Sequence, residues 1–425
     1  MDVLPALAGV GYICGLKISS YMFAGGVLGW FVLIPLISLF GADGIIEPAT
    51  TAISDMSASG IWSSYIRYIG AGAVAAGGII SLIKTLPTII KTFSKAVKGF
   101  GRTSNNELRT SKELPLPVVL VGVLIITVAI WLLPAIPISF VGALMVVIFG
   151  FFFATVSSRM VGLVGSSNNP VSGMAIATLL IATAILKATG TVGYTGMVSA
   201  ICIGTIICIV AAMAGDTSQD LKTGYIVGST PILQQVGELI GSVVAALSIG
   251  GIMYLLNAAW GYGTAELPAP QATLMKLVVE GVMGGTLPWG LVFCGVGIAI
   301  AVEILGLPVL PFAIGLYLPI HLSAPIFIGG LVRWFFENRK SSNTEEERKD
   351  IIDRGVLYSS GMIAGEGLVG ILLAIFAVIP ISSGKSLADM INLGFTIGNL
   401  GGTVFFIILI CTIIYFSVHR KKQEG

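Results

Sequence analysis

The side chains best able to do chemistry in this chain are carboxylates set in or beside long apolar runs. Asp216 and Asp220 lie in a polar break, residues 214–225, with Thr217, Ser218, Gln219 and Lys222 around them. If the break is helical, their i, i+4 spacing puts them on one face. Two carboxylates that close oppose each other's ionisation, which suits proton loading; a solvated connector is the other reading of the break. Glu303 is expected deep in the apolar run 295–305. Glu366 lies in the run 361–370, whose glycines would let another helix approach. Ionisable groups in such segments are costly and mark function by default, with a buried structural hydrogen bond as the alternative role for each. Glu238, between Gly237 and Gly241, is expected to flank a GxxxG helix contact. Asn168, Asn169 and Pro170 open a helix, since Asn caps well and Pro suits the first turn. The free N–H groups of such a start can hold a carboxylate, although a plain cap would look the same.

The elements that must position these groups follow from composition. The chain has 425 residues, 55% hydrophobic and 10% charged, against about 25% charged in a soluble domain. Several apolar runs exceed the roughly 20 residues that cross a bilayer, and the short alternating strands of a membrane β-barrel are not seen. The expected fold is therefore all-α: a polytopic integral membrane protein, one domain over residues 1–425. It should have about 10–12 membrane segments, including broken or re-entrant helices and internal repeats. The 55 glycines fit close helix approach and unwound segments. The net charge of +2 does not point to nucleic acid, because the basic residues cluster beside spans.

Lys84, Lys91, Lys95, Lys98, Arg102, Arg109 and Lys112 crowd residues 84–113, which places this loop in the cytoplasm. Ile89, Ile90, Phe93 and Val97 share a helical face there, predicting an amphipathic helix on the inner leaflet. The charged segment 337–354 and the basic tail after His419 fall on the same side. Residues 3–23 are interrupted by Pro5, Gly9, Gly11, Gly15 and Lys17, which predicts a broken helix; a short span follows over 25–40 and another over 61–83. Residues 118–133 and 138–156 form a helical hairpin. Residues 259–285 are expected as an outer loop, and 308–336, with Pro308, Pro311, Pro319 and Pro325, as two half-helices around a turn. The LPxxxG pattern of Leu4–Gly9 returns at Leu310–Gly315, with Tyr12 and Tyr317 just beyond; paired interrupted segments point to a repeat and its site. Trp30, Trp62, Trp131 and Trp334 are expected as interfacial anchors. The opening residues lack the basic start of a cleavable leader.

No GxxxxGK[ST], HExxH or assembled Ser/His/Asp set occurs. Cys14, Cys202, Cys208, Cys294 and Cys411 form no CxxC pair, and His321 and His419 are too few for a metal cluster. No enzyme, cofactor or metal centre is signalled.

The stretches LPALAGVGYICGLKISSYMFAGGVLGW, SSNNPVSGM, AGDTSQDLKTGYIVGSTPILQQVGELIG, LPVLPFAIGLYLP, PIFIGGLVRW and SSGMIAGEGLVG are spread over nearly the whole chain. In them the chain resembles the oligopeptide transporter (OPT) family, in its bacterial branch, whose plant relatives include the yellow-stripe-like metal-chelate carriers. The resemblance implies a secondary carrier in the bacterial inner membrane, a proton symporter of short oligopeptides. Metal-chelate transport is the alternative, together with a channel-like or incomplete carrier, since the family's N-terminal third is expected to be missing. Partners are then short peptides or chelates, protons and membrane lipid, with no nucleic acid; a homo-oligomer stays open. The substrate-binding candidates are Gly11 and Tyr12, Asn169 and Pro170, and Asp216, Gln219 and Asp220. Glu303 and Glu366 are the proton-coupling candidates.

Overall fold

The computed structural model describes residues 4–99, 108–164, 171–264, 267, 269–284, 288–338, 344–382, 385–391 and 398–419. It is almost entirely helical. Helix α1 (Pro5–Val27) passes through a π-helical turn (Leu28–Leu33) into α2 (Ile34–Gly41), and α3 (Ala58–Ile61) passes through a second (Trp62–Ile66) into α4 (Arg67–Gly99). Then come α5 (Leu116–Leu132), α6 (Phe140–Val164), α7 (Val171–Ala188), α8 (Gly193–Val227), α9 (Pro231–Ala259) and α10 (Pro270–Gly284). The chain continues with α11 (Trp289–Ile304), α12 (Val309–Tyr317), α13 (Ile320–Asn338), α14 (Glu345–Val378), the short β1 (Pro380–Ser382) and β2 (Lys385–Ser386), α15 (Leu387–Ile391) and α16 (Gly398–Val418). Six helices among the described residues are long and apolar enough to cross a membrane, and Leu116–Leu132, Met174–Ala188 and Trp289–Ile304 are shorter apolar helices. The chain is an all-α polytopic membrane protein, as its composition requires.

The chain divides into two compact units. One comprises Met1–Val74, Ile252–Pro270 and Pro288–Gly425; the other comprises Ala75–Gly251 and Gln271–Leu287. In the first, glycines let backbones touch. A Cβ on Gly72 would lie 2.2 Å from the Val292 carbonyl oxygen, and one on Gly295 1.9 Å from that of Ile69, so α4 and α11 pack with no side chain between them. In the second, Val156 of α6, Ala182 and Leu186 of α7, and Ile203, Ile207 and Ala211 of α8 form a buried core.

Several expectations change. The polar break at 214–225 is no loop: it is the last third of α8, which ends in left-handed Gly228 (φ 74°). It contains no proline, and its hydroxyls turn back onto the helix, Ser218 donating to Ala214 O (2.9 Å) and Thr223 to Gln219 O (3.1 Å). The amphipathic segment after Lys84 is continuous with the span before it, with Pro87 inside one helix; most of its side chains lie outside the described residues. The expected outer loop contains α10, because Leu274, Leu277, Val279 and Met283 are buried on it. The spans expected over 3–23 and 25–40 run into one another through the π-helical turn. Trp30 and Trp62 each sit in a π-helical turn, their Nε1 buried and unpartnered among the described residues, whereas Trp131 and Trp334 are half exposed.

Candidate functional site

The two interrupted segments form two broken hairpins that pack on each other. In α1 the break is Gly15, at φ 77° and ψ 169°. Ser19 Oγ donates to Gly15 O (2.8 Å) and reaches Gly11 O (3.3 Å). In a straight helix those residues would stand about 12 Å apart, so the arm after Gly15 folds back beside the arm before it. The second hairpin is α12 and α13, separated by Leu318 and Pro319, as its prolines predict. The contacts are reciprocal. The first arm of α1 meets α13, where a Cβ on Gly11 would lie 1.9 Å from Ile326 O and one on Gly329 2.0 Å from Ala8 O. The second arm meets α12, where a Cβ on Gly25 would lie 2.0 Å from Phe312 O and one on Gly315 1.7 Å from Met22 O. Phe23 and Phe327 stack across the same packing, with ring centroids 4.6 Å apart.

A break in a helix leaves carbonyls without N–H partners, and Arg333 supplies donors to them. Its Nη1 donates to Ile13 O (2.6 Å) and Tyr12 O (3.3 Å), and its Nε to Glu337 Oε1 (2.7 Å). The guanidinium thus sits at the carbonyl end of the first arm, where a cation is favoured. At the other end of that arm, Glu366 Oε2 accepts from Ala6 N (2.6 Å), a charge-assisted cap on the first turn. Both are half-buried. The first arm is therefore held by a carboxylate at its start and a guanidinium at its end.

Gly11 and Tyr12 lie inside this packing. Tyr12 is fully buried, and its hydroxyl lies with Ser417 Oγ in the space that a side chain at Gly355 would need. Glu303 is not deep in its helix; it occupies the last turn of α11, half-buried, six residues before α12 begins at Val309. Glu303 and Glu366 therefore stand at the roots of the two hairpins. Among the described residues, no neighbour comes within 4 Å of where a Cβ on Gly361, Gly365, Gly367 or Gly370 would be, so the helix approach expected beside Glu366 does not come from those glycines. Asn169 and Pro170 lie outside the described residues.

In the other unit, the end of α8 faces α9. Asp216, Gln219 and Asp220 are exposed, and the residues between them make the contacts. Thr217 donates to Glu238 Oε2 (2.7 Å), and Ser218 pairs with Ser158 of α6 (2.5 Å). Gln234 donates through Nε2 to Asp220 O (3.1 Å) and lies so close to Gly224 that a Cβ there would be 2.0 Å from its Oε1. The segment before α5 is strapped to this corner: Arg109 donates to Gly228 O (2.7 Å) and Thr230 Oγ1 (2.6 Å), and Leu114 N donates to Gln235 Oε1 (2.9 Å). Gly237 and Gly241 meet nothing within 4 Å among the described residues, so the expected GxxxG contact is absent there and Glu238 instead bonds to Thr217. Arg333 and Glu238 were the groups undervalued in the sequence; a charge inside an apolar helix was the available signal for each.

The family model for OPT oligopeptide transporter proteins matches residues 1–377. A Haemophilus influenzae protein named for oligopeptide transport is 30% identical over 98% of this chain and 73% of its own length. An Oryza sativa subsp. japonica protein named for metal–nicotianamine transport is 22% identical over 90% of this chain, and a Saccharomyces cerevisiae protein named for oligopeptide transport is 23% identical over 88%. The chain spans 57% and 58% of the lengths of these last two. No solved structure matches it.

Proposed function

The chain belongs to the OPT oligopeptide transporter family, and from that premise we propose that it is a secondary active transporter that moves short oligopeptides across the bacterial inner membrane in symport with protons. The observation that supports this best is the pair of broken hairpins with a carboxylate at the root of each. Broken helices packed as repeats are the usual frame for a transport site that opens alternately to two sides. Glu366 as a carboxylate holds Ala6 N–H; a proton on it removes the charge from that bond, and the first arm of α1 is released. Glu303 lies in the last turn of α11, so a change in its charge acts just before α12 begins. Protonation at the two roots thus biases the same two-hairpin packing. Gly11 and Tyr12 set the arm that moves. Asn169 and Pro170, and the exposed Asp216, Gln219 and Asp220, are the polar groups proposed to meet the substrate.

A second reading, transport of a metal chelate, is favoured by the rice relative's name; both substrate classes carry amine and carboxylate groups. Coupling is tested by Glu303→Gln and Glu366→Gln in proteoliposomes. Each is expected to lower proton-driven peptide uptake by roughly 5- to 150-fold, the usual span of a coupling free energy, with the inserted amount unchanged. Proton-driven uptake at the parent rate in both variants would remove these residues from the coupling step.

A further inference from the structure

Two buried acceptor atoms in the α8–α9 corner have no use in the packing just described. Gln234 Oε1 and Glu238 Oε1 are both shielded from solvent, and neither finds a donor among the described residues. The two residues are one turn apart on α9, hence on one face. Their partnered atoms fix which oxygen is left over. Gln234 Nε2 is committed to Asp220 O, so its other atom is an acceptor, and Glu238 Oε2 is committed to the Thr217 hydroxyl. Gly224 holds the amide in place, because any side chain there would overlap it. A buried acceptor without a donor is expensive, and a carboxylate oxygen more so. Each oxygen can accept from an N–H donor, and Glu238 favours a donor that carries positive charge.

We propose that Gln234 and Glu238 form a subsite for the ammonium group of the substrate. Three N–H donors would meet Glu238 Oε1, Gln234 Oε1 and the remaining lone pair of Thr217 Oγ1, and the charge would neutralise Glu238. A bare metal ion fits less well: hard cations take six or more oxygen ligands, and no cluster of three or more metal-ligating side chains occurs among the described residues. The inference rests on the transport reading above, and names the end of the substrate that this corner recognises.

The test compares uptake of trialanine and N-acetyl-trialanine in proteoliposomes. Acetylation removes the ammonium and leaves the rest of the peptide. The parent protein is expected to prefer the free amine by roughly tenfold or more, as a site built around a hydrogen-bonded group does. Glu238→Gln should reduce that preference to within about twofold, through a higher KM for trialanine. Gly224→Ala should do the same by displacing Gln234. If Glu238→Gln loses uptake of both peptides, Glu238→Asp decides: restored preference for the free amine supports the subsite, and its absence overturns it. Preference retained in Glu238→Gln also overturns it. A parent protein that takes up neither peptide would overturn the peptide reading itself, and the subsite with it.

Discussion

Gly315→Ala is expected to lower the stability of the folded protein sharply. The added methyl carbon would sit 1.7 Å from Met22 O and 2.6 Å from its carbonyl carbon. Both are backbone atoms of a helix and cannot rotate away as a side-chain tip can. The hairpins must separate, and they do so at their crossing. Overpacking costs about 1–3 kcal/mol and occasionally more, and a backbone obstacle places this site at or above the top of that range. Gly361→Ala provides the contrast on α14, where the methyl meets nothing within 4 Å among the described residues. There, alanine should stabilise its helix by up to about 1 kcal/mol. Thermal unfolding of the two variants in detergent checks the pair. Similar midpoints would mean that the glycine crossing does not hold the hairpins together.

Arg333→Ala is the second large effect. It withdraws the donors from Tyr12 O and Ile13 O and leaves Glu337 without its ion pair. A buried acceptor left unsatisfied costs about 1–3 kcal/mol, and two carbonyls lose their donor together. The first arm of α1 should fray at Gly15, lowering stability by at least about 2 kcal/mol and abolishing transport. Arg333→Lys keeps the charge but cannot present a planar fork to two carbonyls and a carboxylate, so it should recover only part of each loss. Unfolding midpoints and peptide uptake, measured on the same preparations, check both variants. An Arg333→Ala protein as stable and active as the parent would show that the break is held by Ser19 alone.

The broken hairpins were legible because Pro and Gly act locally. Gly15 among Pro5, Gly9 and Gly11, and Pro319 among its neighbouring prolines, disrupt helices whatever surrounds them. Of the two LPxxxG glycines, Gly315 lies in the crossing of the hairpins, whereas Gly9 packs on Ser359 of α14. The donor to the first break was not legible, because Arg333 lies 320 residues from Ile13 and no local pattern joins them. The end of α8 misled for a different reason. Polarity alone does not distinguish a loop from a helix, and without a proline the hydroxyls of Ser218 and Thr223 can fold back on the helix that carries them. The i, i+4 placement of Asp216 and Asp220 was then correct, while the contacts formed at Thr217, Ser218 and Glu238, whose side chains meet neighbouring helices. Glu303 was expected too deep, since hydropathy continues past Ile304 although the helix ends there, with Gly306 just beyond it at φ 73°.

The most direct measurement is uptake of labelled tripeptide by the purified chain in proteoliposomes, with and without an inward proton gradient, in the parent protein and in Glu366→Gln. Proton symport through the hairpin roots predicts saturable uptake that the gradient accelerates in the parent and leaves unchanged in Glu366→Gln. Uptake by the parent that ignores the gradient, or acceleration of equal size in both proteins, would contradict it.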